Sequence, residues 1–192
     1  LSGFLRYTLL DEDTLEARLQ EEMQAIKHYL TVEKIRFEDD LQFEIEVSAE
    51  AKRTLVPSFL MLPLVENAVK HGQRTSPSPL RIGITGMVEE DSLVVEVANT
   101  GHWRDDAAHA SGTDTGLDNV RARLDTQYPD HHRFDVTDED GWVRVRIEID
   151  RNALTSNERC TSNSHRRRRA PGPERHASRP SRHRRWRPPW KG

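Results

Sequence analysis

Leu15, Leu19, Met23, Ile26 and Leu30 recur at spacings of three and four, which lays one apolar stripe along a helix and predicts a helix from about Leu15 to Arg36. Acids in its early turns and Lys34 and Arg36 in its last suit the helix dipole. Ahead of it, Leu1, Phe4, Leu5 and Leu9 read as the end of another amphipathic helix, so the chain is expected to start in mid-element. Leu41 to Val47 alternates strictly, as a strand with one buried face does. Val56 to His71 reads as a helix. Alternation returns at Leu80 to Met87, Leu93 to Ala98 and Val143 to Ile149, with a fourth strand around Phe134 to Val136. Glu90-Asp91 and Asp140-Gly141 are the turns expected to close two of these pairs as hairpins. Gly112 to Leu124 supplies a Gly-rich turn that opens a further helix. Strands mixed with helices, without strict βα alternation, predict an α+β fold: a two-layer sandwich with helices on one face of the sheet.

Composition adds two constraints. The longest apolar run, Leu55 to Val65, is about half of the roughly 20 residues that a membrane-spanning helix needs, and Pro57 and Pro63 interrupt it. No signal-peptide pattern opens the chain. Cys160 is the single cysteine of 192 residues, which excludes an internal disulfide and a thiolate zinc cluster and suits a reducing, cytoplasmic setting.

The formal net charge of -3 conceals two opposed halves. Residues 151–192 hold 13 of the 29 Lys and Arg but 2 of the 32 Asp and Glu, a net of +11, which leaves 16 basic and 30 acidic residues, a net of -14, in residues 1–150. Such asymmetry marks a boundary. The folded domain is expected before it. Beyond Asp150, Arg166 to Arg169 and five prolines from Pro171 to Pro189 stand among Ser, His and Arg with few aliphatic side chains, so residues 151–192 are expected to form a disordered basic tail. With Trp186 and Trp190 that tail has the chemistry to bind nucleic acid or an anionic surface. Its Arg/Pro/His/Ser composition also resembles out-of-frame translation of GC-rich DNA, the preferred reading, so a nucleic-acid partner is not expected.

The residues with chemistry to offer fall in three strings. In Leu64-Val65-Glu66-Asn67-Ala68-Val69-Lys70-His71-Gly72, the spacing puts Asn67, Lys70 and His71 on one helix face. An amide oxygen can ligate Mg²⁺, and an ammonium and an imidazole can reach phosphate oxygens or a sugar. The plainer alternative is a helix with a polar edge and a glycine C-cap at Gly72. Val95 to Gly101 is a strand ending in Asn99-Thr100-Gly101, and Gly112-Thr113-Asp114-Thr115-Gly116-Leu117 is a Gly-rich turn feeding a helix N-terminus, where backbone N–H groups and the helix dipole favour anions.

Taken together, these strings resemble the C-terminal part of a LytS-type sensor histidine kinase, with an ATP-binding domain of the GHKL (Bergerat) type. The resemblance covers about residues 1–149. Leu1 to Leu9 resembles the end of the second dimerisation helix, Tyr29 to Phe37 the stretch before the first strand, and Val56 to Gly72 the N box. It implies three segments: 1–12 as the truncated dimerisation helix, 13–150 as the catalytic domain, and 151–192 as the tail. The cofactors it implies are ATP and Mg²⁺, with Asn67 as the Mg²⁺ ligand, Lys70 on phosphate and His71 near the ribose or phosphates. Asn99 and Gly101 stand at the adenine-reading first glycine box, and Gly112, Gly116 and Leu117 at the second, which meets the triphosphate. His102 to Ser111 corresponds to the lid. Glu66 is the candidate catalytic carboxylate, placed to polarise a water or support Asn67.

The same resemblance implies transfer of the ATP γ-phosphate to a histidine on a dimerisation helix upstream of Leu1, in a homodimer, and onward to a response regulator, often of LytTR type. His28 lies in the family's later Tyr-Leu segment rather than in the acceptor motif. His102, His109, His131 and His132 have no zinc-ligand spacing and are read as surface residues. Three positions depart from the commonest pattern: Asn99 replaces an Asp, Trp103 a glycine, and Asp114 the middle glycine of the second box. They leave open a degenerate nucleotide-binding scaffold as the alternative to a kinase, and a basic-tailed nucleic-acid binder as the second alternative.

Overall fold

The structure, a computed structural model, describes residues 16–103 and 115–154. A short strand β1 (Glu16–Arg18) leads directly into helix α1 (Leu19–Phe37). The expected helix start at Leu15 is therefore too early: β1 pairs antiparallel with β3 (Leu55–Pro57), and Leu19 N–H donates to the Thr54 carbonyl at 2.9 Å. Strand β2 (Leu41–Val47) follows α1, and helix α2 (Leu62–Thr75) follows β3. The helix expected from Val56 to His71 is thus shifted. Val56 is in β3, and Pro63 sits in the first turn of α2, where a missing N–H costs no helix bond.

Strands β4 (Leu80–Glu89), β5 (Ser92–Thr100), β6 (His132–Glu139) and β7 (Trp142–Asp150) complete a five-stranded sheet in the order β2-β4-β5-β7-β6. β2 runs parallel to β4 and the other neighbours are antiparallel. The two expected hairpin turns are present, with Glu90, Asp140 and Gly141 all at positive φ. Helix α3 (Thr115–Gln127) lies between β5 and β6.

One face of the sheet is apolar. Ile82 and Ile84, then Leu93, Val95 and Val97, then Val145, Ile147 and Ile149 form rows at 4% exposure or less. They meet Leu19, Ile26 and Leu30 of α1, Leu64, Val65 and Ala68 of α2, and Leu117, Val120 and Leu124 of α3 in one core. The opposite face is covered by side chains, including Arg146 3.3 Å from Glu89 and Arg144 3.9 Å from Glu96. This is the α+β two-layer sandwich that the periodicity predicts, and its sheet is mixed. Leu154, in the helical turn 151–154, adds to the core, so packing continues past Asp150. Residues 151–154 of the expected disordered tail 151–192 are therefore ordered, while the rest of that tail and the expected dimerisation-helix end at 1–12 lie outside the described residues.

Tyr128, just after α3, is 1% exposed, and its hydroxyl has no hydrogen-bond partner among the described residues. Burying a polar group unpaired costs about 1–3 kcal/mol, so Tyr128→Phe should keep the ring's packing and raise stability by about 1 kcal/mol in denaturant titration. Burial also pushes this phenol from an ordinary 10 up to about 12, and Tyr29 of α1 behaves alike. Between those values the unfolded chain has released the proton while the folded one keeps it. Stability is therefore intact below pH 10 and lost as pH rises toward 12. Alkaline unfolding followed by circular dichroism should show that loss reduced in Tyr128→Phe.

Candidate functional site

Leu62, Leu64, Val65, Ala68, Val69 and Gly72 are the buried side of α2. Helical spacing turns the remaining side outward, where Asn67 and His71 are half-buried and Glu66 and Lys70 exposed. Gly72 does not cap the helix. It lies within α2, which ends at Ser76, whose N–H donates to the Gly72 carbonyl at 2.7 Å. A Cβ on Gly72 would come within 2.5 Å of Leu80 Cδ1 and 3.2 Å of Asn99 Nδ2. Glycine is what lets this part of α2 approach β5 closely.

Asn99 is 5% exposed, on the helix-facing side of β5 opposite Ile82 and Val143. Its Nδ2 donates to the Thr100 carbonyl at 2.8 Å, and its Oδ1 is the amide's acceptor. The chain then turns at Gly101, with φ +118, and Gly101 N–H donates to the Gly141 carbonyl at 3.0 Å. Thr75 joins this turn to α2: its Oγ1 donates to the His71 carbonyl at 3.1 Å and accepts the His102 N–H at 3.2 Å. The Ser76 and Thr100 hydroxyls lie 2.6 Å apart beside it.

Trp103 is well anchored. Its N–H donates to Asp138 Oδ2 at 2.9 Å, and its ring lies parallel to that of His71, with centroids 6.3 Å apart and planes 10° apart. His102 Nδ1 is 3.4 Å from Asp138 Oδ1. The remainder of the expected lid, 104–111, lies outside the described residues, as do Gly112 and Asp114.

Gly116 and Leu117 are in the first turn of α3. Leu117 is 7% exposed and packs in the core, so it offers a ligand only its backbone. Gly116 faces the start of α2, where an added Cβ would stand 4.0 Å from Pro63 Cβ. α2 therefore runs between two candidate features, with Gly116 at its N-terminal end and Asn99 beside Gly72 near its C-terminal end. From Pro63 to Gly72 the helix rises about 13 Å at 1.5 Å per residue, with Asn67 close to midway.

Beside this line, desolvation raises the Glu66 carboxyl above its ordinary pKa, although the residue as a whole is exposed. Tyr29 of α1 is near enough that Glu33 and Glu66 reinforce the effect of burial on its phenol. Among the described residues, no cluster of three or more His, Cys, Asp or Glu can hold a metal. A cation here would depend on Asn67 together with a ligand's own oxygens. Glu22, Thr75, Arg123 and Asp138 join the site only in the fold. Glu22 alone carried a signal, as an acid three residues after Leu19 and four before Ile26, inside the apolar stripe.

A polar-edged helix crossing a glycine turn and a second helix's N-terminus, on a five-stranded mixed sheet, defines the class of fold: that of histidine kinase catalytic domains. Comparison with known proteins agrees. The histidine kinase family model matches residues 1–41. The chain is 30% identical over 150 residues to the sensor histidine kinase BtsS of Escherichia coli, a match covering 78% of this chain and 26% of BtsS. The nucleotide-free catalytic domain of the histidine kinase ThkA superposes with a TM-score of 0.55 at 16% identity, over 71% of this chain and 95% of that one. ThkA in complex with the response regulator TrrA gives 0.54 at 15% identity, over 79% and 47%. The chain belongs to the LytS-like sensor histidine kinases, and it spans about a quarter of the length of BtsS. No helix among the described residues is long and apolar enough to cross a membrane.

Proposed function

We propose that this chain binds Mg-ATP along α2 and presents the γ-phosphate to a histidine on a dimerisation helix, as the catalytic part of a two-component kinase. The observation that carries the reading is the alignment of Asn99, Asn67 and Gly116 along a single helix. In this arrangement the adenine amino group donates to Asn99 Oδ1. The phosphate chain runs past Asn67 toward the N–H groups that open α3, where the helix dipole favours negative charge. Asn67 fits a hard cation, since a neutral amide oxygen is a normal Mg²⁺ ligand, and most of the remaining positions go to phosphate and water. Lys70 supplies a positive charge for phosphate, and His71, backed by Trp103, flanks the ribose or phosphates.

Bound ATP supplies the phosphoryl group. The protein's contribution is positioning and electrostatics rather than covalent chemistry. The acceptor imidazole forms the N–P bond as the bond to the β-phosphate oxygen breaks, ADP departs, and the imidazole proton passes to solvent. Glu66 is assigned the polarisation of a water or the support of Asn67. Partners follow by the same reasoning: a second copy through the dimerisation helix ending near residue 12, and a response regulator of LytTR type, with the ThkA–TrrA complex supporting a regulator in general. The segments proposed are 1–12 and 13–150, the second extended by the turn 151–154 whose Leu154 packs in the core, with a tail beyond, in the cytoplasm.

Calorimetric titration of ATP into the full chain tests the reading. Binding that requires Mg²⁺ is expected. Titrations to millimolar ATP that release no heat with or without Mg²⁺, on protein shown to be folded, would sink it.

A further inference from the structure

The four residues between β3 and α2 are held by two side chains that the nucleotide reading does not use. Glu22, one turn into α1, is 1% exposed, and its Oε1 accepts the Phe59 N–H at 2.7 Å while its Oε2 accepts the Met61 N–H at 3.0 Å. Arg123 of α3 donates through its guanidinium to the Ser58 carbonyl in the same turn. Phe59 sits at φ 60, an unfavourable region for a bulky side chain that persists only where surrounding contacts impose it. Both first-turn bonds of α2, from Leu64 and Val65 N–H, go to the Met61 carbonyl. The direction in which α2 leaves the turn is thus set by where Glu22 holds Phe59 and Met61.

We infer that Glu22 and Arg123 are positioning residues for the nucleotide site, forming a strut that fixes α2 and α3 at their mutual distance through the 58–61 turn. Asn67 is on one of these helices and Gly116 opens the other, so the spacing between the cation ligand and the phosphate-facing N–H groups depends on this turn. The assignment rests on the Mg-ATP reading above. Charge supports the arrangement, since the Arg123 cation attracts the Glu22 carboxylate and offsets part of the desolvation that raises its pKa. A carboxylate is needed rather than any polar group: two N–H donors point at two separate oxygens, and an amide has only one.

The test is Mg-ATP titration of the full chain and its Glu22→Gln, Arg123→Ala and Arg123→Lys variants, each with thermal unfolding recorded alongside. Wild-type binding must be seen first, and its absence counts against the nucleotide reading rather than the strut. Given that binding, Glu22→Gln and Arg123→Ala are expected to weaken it about tenfold at temperatures where both are fully folded. Arg123→Lys, which can still donate to the Ser58 carbonyl, should recover most of the loss. Arg123→Ala, at the more accessible of the two positions, keeps the proposal open to refutation should Glu22→Gln fail to fold. Wild-type affinity in folded Arg123→Ala, or no recovery in Arg123→Lys, would overturn it.

Discussion

Asn67→Ala is expected to abolish the Mg²⁺ dependence of ATP binding and to weaken affinity by about 100-fold or more. The size follows from the site's economy. Among the described residues no acidic or imidazole cluster stands by to take over a cation, so removing one amide removes the protein's own ligand. Even indirect supports of a metal commonly matter about 10–100-fold. The helix itself should not suffer: Asn67 is half-buried on the outward side of α2, and alanine is the better helix former by a few tenths of a kcal/mol. Unfolding midpoints should therefore match the wild type while binding is lost. Asn67→Asp separates ligand from geometry, because it keeps an oxygen at the same reach and adds charge. It should retain Mg²⁺-dependent binding. If Asn67→Ala kept both the wild-type affinity and its dependence on Mg²⁺, the cation site would have to be sought elsewhere.

How much of this was legible in advance divides along the range of the forces involved. Strands β2, β4, β5 and β7 could be read because alternation is a local pattern with one dry side, and the turns at Glu90 and Asp140 because positive-φ positions draw few residue types. β1 and β3 could not. Each is three residues long, and their pairing joins segments almost 40 positions apart, so nothing local announces them. Their pairing in turn shifts α2: Val56 and Pro57 continue an apolar pattern into the helix, but they are used by β3, and the first helical turn waits for Leu62 and Pro63. At the site, residue types gave Asn67, Lys70, His71 and Asn99 a chemistry, while their partners came from the fold. Gly72 illustrates the difference. A glycine after His71 suggests a helix end, yet its function is contact, since Leu80 and Asn99 occupy the space where a side chain would go. Trp103 is the converse, a large ring that packs against the core and lies over His71, contacts that its place in the sequence does not announce.

Gly101→Ala should destabilise the domain by about 3 kcal/mol or more and take nucleotide binding with it. Two independent costs add. The backbone at φ +118 lies where L side chains seldom go, and such a conformation costs on the order of 1–3 kcal/mol. The new Cβ would also collide with Thr75 Oγ1 and stand 3.0 Å from the Ser76 backbone nitrogen and 3.1 Å from the Thr75 carbonyl carbon. Neither backbone atom can swing aside, because Ser76 N–H is bonded to the Gly72 carbonyl and closes α2. Relief has to come from separating the end of β5 from the end of α2, and that breaks the Thr75 link to His102 and moves Asn99 away from Gly72. Gly141→Ala is the control. It too has a positive φ, of 72, but nothing lies within 4 Å of its added Cβ, so it should show the conformational cost without the collision. Denaturant titration of both variants gives the comparison: a loss in Gly101→Ala no larger than in Gly141→Ala would mean that the turn yields freely and that the close contact with α2 does not hold the adenine end of the site in place.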